Sequence, residues 1–146
     1  MSSYLKNDVH FLNTNFLDLD LDNQLDIVFA SNVFEHISKN DISSYMNKIQ
    51  ALLKPGGKLI IIQPNFNRCY RNYYDDYTHV AAYTETGMKD LFTAFQFNIL
   101  FSHPGYLPFS MKSLLPKSYY LTKLFLKCGS PLLGKQMCVV GQTQLK

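Results

Sequence analysis

Apolar positions along the chain change period several times. Residues 25–30 (LDIVFA) form an apolar run bounded by polar residues, the pattern of a strand buried on both faces. Farther on, Ile42, Tyr45, Met46, Ile49, Leu52 and Leu53 fall at offsets 0, 3, 4, 7, 10 and 11, which is one helical face. Ser38-Lys39-Asn40-Asp41 precede them, and short polar side chains there satisfy orphan helix N–H groups. Pro55-Gly56-Gly57 is expected to end that helix and turn the chain. Residues 58–63 (KLIIIQ) then read as a second buried strand, stopped by Pro64.

Outside this central unit the signals are shorter. Residues 9–12 (VHFL) are a strand candidate, followed by an acidic, turn-prone stretch to Gln24. Residues 65–83 are aromatic and polar without a clean period, as in a long functional loop. Thr84 is placed to cap a helix with Met88, Leu91, Phe92 and Phe95 on one face, and residues 97–101 and 137–142 are two more strand candidates. Strands alternating with helices predict an α/β domain with a largely parallel sheet, one domain over residues 1–146. Ligands of such sheets bind beyond the C-terminal ends of the strands. That directs attention to Asn15, to residues 31–36 and to the loop after Gln63.

Composition sharpens this picture in three respects. Hydrophobic residues make up 47% of the 146, enough to fill a core, and no apolar run reaches the roughly 18 residues of a membrane span. The three cysteines (Cys69, Cys128 and Cys138) have no metal-ligand spacing and no secretory leader precedes them, which reads as reduced thiols in a cytoplasmic protein. Charge is segregated: every acidic residue lies at or before Asp90, and residues 91–146 carry six lysines and no acid. This basic tail either meets an anionic ligand or membrane, or solubilises an apolar segment. Residues 117–127, rich in Tyr, Leu and Lys, fit a short amphipathic helix, as a membrane contact or a covering helix. The modest net charge of +3 and the lack of an RNA-binding motif give no expectation of nucleic-acid binding.

Leu25-Asp26-Ile27-Val28, then Asn32-Val33-Phe34-Glu35-His36-Ile37, then Leu53-Lys54-Pro55-Gly56-Gly57-Lys58-Leu59, in this order around a well-formed helix, resemble class I S-adenosylmethionine-dependent methyltransferases. In that family they are the fourth strand with its loop and the turn into the fifth strand. Gln63-Pro64-Asn65-Phe66, Asp75 to Val80 and Leu107-Pro108-Phe109-Ser110 resemble a bacterial subgroup linked to surface-polysaccharide or other small-molecule modification. The family's glycine-rich cofactor loop has no counterpart, since no glycine precedes Gly56. The resemblance therefore implies a Rossmann-like sheet truncated at its N-terminus, without the first two strands and their helices. It also implies weakened binding of S-adenosylmethionine. An open sheet edge would follow, inviting self-association or insertion of residues 9–12 beside the strand at 25–30. The competing reading is a non-catalytic remnant or an interaction module.

The same resemblance implies site residues. Asn15, with Phe16, falls where the family holds adenine, or else Asn15 forms an Asx-turn. Ser31, Asn32 and Val33 would pass beside the cofactor's methionine part. Glu35 and His36 match part of a string that, with a later His, binds a divalent metal in ubiquinone O-methyltransferases and plant small-RNA methyltransferases. His79 fits that later place. Asn32 replaces the first Glu of the string, so the resemblance favours Glu35 as a cap and His36 as pocket lining over a metal role. His79 is alternatively a general base on a small-molecule acceptor, with Asp75 and Asp76 orienting it or binding substrate. Tyr70, Tyr73, Tyr74 and Tyr77, with Arg68 and Arg71, would offer an aromatic, basic face for a sugar or planar ring.

Overall fold

A computed structural model describes residues 9–107, 118–120, 123 and 134–145. Its central sheet has four strands: β1 (Leu25–Ser31), β2 (Leu53–Pro64), β3 (Asn98–Leu107) and β4 (Gln136–Gln142), in the spatial order β1-β2-β4-β3. Helices α1 (Ile42–Leu52), α2 (Phe66–Cys69) and α3 (Glu85–Ala94) join them, with short 3-10 turns at Phe16–Asp18, Phe34–His36 and Tyr70–Asp75. β1 pairs parallel with β2, while β4 runs antiparallel to both β2 and β3. Three strands thus point one way, but only one of the three ladders is parallel. The expectation of a largely parallel sheet holds for direction and fails for pairing, because apolar periodicity carries no information on strand polarity.

The α1 periodicity is realised: Ile42, Met46, Ile49 and Leu52 are buried and Tyr45 packs against the core. Ser38 starts this turn, its Oγ accepting from the Asp41 N–H at 3.3 Å and donating to Asp41 Oδ2 at 2.7 Å. Thr84 caps α3 as expected, accepting from Gly87 N at 3.0 Å. Both helices cover one face of the sheet. Phe34, Leu59, Ile61, Met88, Phe92 and Val139 lie in the resulting core. A Cβ on Gly141 would sit 2.4 Å from Phe92 Cδ1, so glycine at this point lets α3 approach β4.

Three expectations are corrected. Pro55-Gly56-Gly57 does not separate helix from strand, because β2 begins at Leu53 directly after α1 and carries the three residues within it. They form a bulge: Leu25 pairs Leu53 and Ile27 pairs Lys58, so four residues of β2 (54–57) stand against the single Asp26 of β1. Gly56 adopts φ +76° there, and its carbonyl accepts from Gln142 Nε2 at 2.8 Å. Residues 9–12 form no strand and are exposed, for a four-residue run has no stability without a paired neighbour, and it does not move in beside β1. Residues 25–30 are not buried on both faces either. β1 is an edge strand, and Ile27 and Phe29 keep 54% and 60% of their surface.

The stretch 65–83 is more ordered than a loop reading suggests. Asn65 caps α2, and Tyr73 is buried with its hydroxyl donating to the Ala81 carbonyl at 2.7 Å. Phe66 and Tyr74 meet the Tyr73 ring edge-on. Tyr73 is therefore removed from the expected ligand-stacking face, which keeps Tyr70, Tyr74 and Tyr77 exposed. Among the described residues no helix is long and apolar enough to cross a membrane. The candidate membrane segment 117–127 lies mostly outside the described residues, as do Cys128 and the Pro108-Phe109-Ser110 part of the last motif.

Candidate functional site

Because β4 is reversed, the C-terminal ends of β1, β2 and β3 meet the start of β4 at one edge of the sheet. A cavity of about 400 Å³ opens there. Asn32 lines it from the end of β1, Glu35 and His36 from the following turn, and Pro64 from β2. Cys69, Asn72, Tyr73, Asp75, Asp76 and His79 line it from the connection to α3, and Lys135 and Gln136 from the start of β4.

The β1 end turns sharply. Asn32 takes φ +52°, a left-handed conformation that Asn tolerates better than most residues. Its N–H donates to the Ile62 carbonyl at 2.9 Å, and its Oδ1 accepts from Gln136 Nε2 at 3.0 Å. The turn drops Phe34 into the core and buries Glu35 beside it, at 1% exposure. The Glu35 carbonyl accepts from Val80 N and Ala81 N at 2.9 and 3.1 Å, which ties the β1 turn to the segment carrying His79.

Glu35, His36 and His79, forty-four residues apart in sequence at their extremes, converge so that one ligand atom from each lies within 4.8 Å of the others. The two imidazole rings are 5.0 Å apart, and Tyr73 packs 4.6 Å from the His79 ring. Both rings are fixed by main-chain carbonyls: His36 Nδ1 is 3.0 Å from Thr78 O and His79 Nδ1 is 2.7 Å from Tyr73 O. A carbonyl only accepts, so each Nδ1 donates and Nε2 is the nitrogen left for another partner. The anchor of the His79 ring is thus the Tyr73 carbonyl. Asp76 Oδ1 accepts from Thr78 N and Oγ1, at 3.2 and 2.6 Å, stiffening the turn that presents His79. Asp75 accepts from Asn72 Nδ2 at 2.9 Å.

Burial raises the Glu35 carboxyl above the ordinary Glu value, against the opposing pull of its backbone hydrogen bonding and of His36 and His79. Glu35 Oε2 is buried with no hydrogen-bond partner, a state costing on the order of 1–3 kcal/mol. Burial likewise pushes the Cys69 thiol up, so this cavity-lining cysteine is held as a thiol.

The remaining sequence-predicted residues sit apart from this cluster. Ser31 and Val33 flank Asn32 as an exposed ledge at the end of β1. Asn15 Oδ1 accepts from Leu17 N at 3.1 Å, the Asx-type cap, and Phe16 stacks on Tyr45 with centroids 5.7 Å apart. Both side chains thus have internal partners. Lys135, Gln136 and Cys69 were not singled out as site residues by the sequence reading. Only the antiparallel insertion of β4 brings the first two beside Asn32, and no local motif marks that.

Comparison with known proteins agrees with this geometry. A family model described as a methyltransferase domain matches residues 4–101. No curated protein matches the chain. A SAM-dependent methyltransferase from Archaeoglobus fulgidus superposes with a TM-score of 0.64 at 18% identity, over 88% of this chain and 63% of that one. The 1,6-didemethyltoxoflavin-N1-methyltransferase of Burkholderia thailandensis, with bound 1,6-didemethyltoxoflavin and S-adenosylhomocysteine, gives 0.59 at 15% identity, over 92% and 50%. A SAM-dependent methyltransferase from Thermotoga maritima, a possible histamine N-methyltransferase, gives 0.61 at 17% identity, over 93% and 65%. The chain thus spans between half and two thirds of each of these structures, and at such identities the likeness is one of fold. With the family model covering most of its length, the chain belongs to the class I S-adenosylmethionine-dependent methyltransferase family.

Proposed function

We propose that this chain forms the acceptor side of a methyl-transfer site, which moves a methyl group from S-adenosylmethionine to an oxygen of a small molecule held in the cavity. The observation that carries the reading is His79: an imidazole fixed through Nδ1 to the Tyr73 carbonyl, which leaves Nε2 as its free nitrogen in a cavity at the ligand-binding edge of the sheet. The cofactor, when bound, supplies an electrophilic sulfonium methyl, and the Ser31–Asn32–Val33 ledge is the part of this chain that would hold its methionine end. His79 Nε2 takes the acceptor's hydroxyl proton as the oxygen–carbon bond forms and the carbon–sulfur bond breaks. Holding the acceptor in line supplies much of the rate. Asp76 acts on this chemistry through the turn it stiffens, as a positioning residue.

The test is methyl transfer by the purified protein to a panel of sugar and phenolic acceptors. His79→Ala is expected to lower turnover by roughly 10²-fold, within the range for loss of a general base, with cofactor affinity little changed. Equal turnover in the variant overturns the role of His79. A second reading, an interaction module, is favoured by the exposed Ile27 and Phe29 on edge strand β1.

A further inference from the structure

We infer that Lys135, together with the carboxamide pair of Asn32 and Gln136, binds a carboxylate group of the acceptor, so that the molecule methylated is a compact hydroxy acid. That the carboxylate belongs to an acceptor rests on the proposed methyl transfer, whereas carboxylate binding itself does not depend on that reaction.

The site is built into the start of β4. Lys135 N donates to the Leu107 carbonyl at 3.1 Å, and the Lys135 carbonyl accepts from Asn65 N at 2.9 Å, so the ends of both flanking strands hold its main chain. Gly134, immediately before it, packs so closely that a Cβ there would collide with the Gly105 carbonyl. A lysine on such a frame presents its ammonium from a fixed point on the cavity wall that it lines. Next to it Gln136 is 8% exposed, and its Nε2 donates to Asn32 Oδ1 at 3.0 Å. That bond leaves the Asn32 NH2 without a partner among the described residues. Exchanging N and O in both amides leaves the Gln136 Oε1 as acceptor and a Gln136 NH2 in its place, so the pair offers a carboxamide donor either way.

The Lys135 ammonium has no carboxylate partner among the described residues, whose ion pairs are made by Lys48, Lys54 and Lys89. No acidic residue occurs between Leu91 and Lys146, so the chain on either side of Lys135 has no carboxylate side chain to pair with it. Of the acids that line the cavity, Asp75 accepts from Asn72, Asp76 accepts from Thr78, and burial raises the Glu35 carboxyl. Lys135 is the one Lys or Arg in that lining among the described residues. Its charge opposes the burial that raises the Cys69 thiol, so its field reaches into the cavity. One ammonium beside one carboxamide suits a monoanion. A phosphate dianion would meet Asp75 and Asp76 in the same cavity with a single lysine to balance it, whereas a carboxylate matches two donors with its two oxygens. The volume of about 400 Å³ sets the acceptor at small-molecule size, with its carboxylate at Lys135 and its hydroxyl at His79 Nε2.

The experiment follows the amide signals of the isotope-labelled chain by NMR as acetate, a carboxylate small enough for any scaffold's site, is added, with acetamide as the neutral control. Acetate should shift the Asn32, Lys135 and Gln136 signals saturably at millimolar concentration, and acetamide should not. Lys135→Met keeps the length of the side chain without its charge. It should weaken acetate binding roughly tenfold, the loss of one charge-assisted hydrogen bond, with the rest of the spectrum unchanged. No saturable shift in the folded wild-type chain, or equal acetate binding by Lys135→Met, overturns the inference. In turnover assays hydroxy acids should be preferred to their amides, and Lys135→Met should raise the acceptor KM roughly tenfold with kcat and affinity for S-adenosylhomocysteine little changed. Equal turnover of acid and amide, or a loss that falls on S-adenosylhomocysteine instead, also overturns it. Acetate binding without methyl transfer to any acceptor would leave the carboxylate site standing and remove the proposed reaction. A turnover loss in His79→Ala with no acetate site would do the reverse.

Discussion

The two faces of the sheet have similar apolar content and different surroundings. On one face Val28, Leu59, Ile61, Val139 and Met137 lie under α1 and α3, and Phe92 is fully buried against Gly141. On the other, register places Phe29, Ile60, Val140 and Phe101 in one row across all four strands. Phe29 and Phe101, at its two ends, keep 60% and 43% of their surface exposed. A period of two fills both faces of a strand with apolar groups, but only a facing layer turns that pattern into stability. The chemistry lies beyond the faces, at the C-terminal ends of the strands, where the turns that lead from β1 to α1 and from β2 to α3 deliver Glu35, His36 and His79 together.

The sharpest way to test the difference is to cut into the covered face. Phe92→Ala should cost about 3–5 kcal/mol in urea unfolding, the loss typical of a large buried aromatic. A loss below 1 kcal/mol would mean that α3 packs loosely and that the two faces are less unlike than described.

A smaller effect is expected at Glu35, the ionisable group buried beside the core at the end of β1. Its folded-state pKa is raised, so the folded protein keeps a proton that the unfolded chain releases. Stability is then greatest below the unfolded Glu value and falls as pH rises towards the folded one. Glu35→Gln should remove that fall and, without added metal, gain on the order of 1 kcal/mol near neutral pH. Urea titrations between pH 4 and pH 8 test it, and a pH slope unchanged in the variant would show that another group controls it.

The smallest change belongs to the open face. Phe29→Ser should alter stability by no more than about 0.5 kcal/mol if Phe29 faces water. Light scattering on the same variant sharpens the point. A wild-type dimer that the substitution splits would show the open face and the β1 edge to be a contact between copies.

The sequence by itself determined the elements whose signals are local. The α1 face, the Thr84 cap, the β2 run up to Pro64 and the strands near 98 and 137 all follow from periodicity and capping chemistry, which act over a few residues. Asn15 in an Asx turn was among those readings too. Tertiary structure decided what depends on distant partners. Residues 9–12 form no strand because strands exist by pairing, β1 is an edge because nothing described pairs beyond it, and β4 takes its direction from pairing between β2 and β3, antiparallel to both. The site shows both sources. Family resemblance singled out Glu35, His36 and His79, but only the fold brings their ligand atoms within 4.8 Å of one another. Gln136 and Lys135 join them through a reversal that no local pattern encodes, since side-chain periodicity repeats identically in either strand direction.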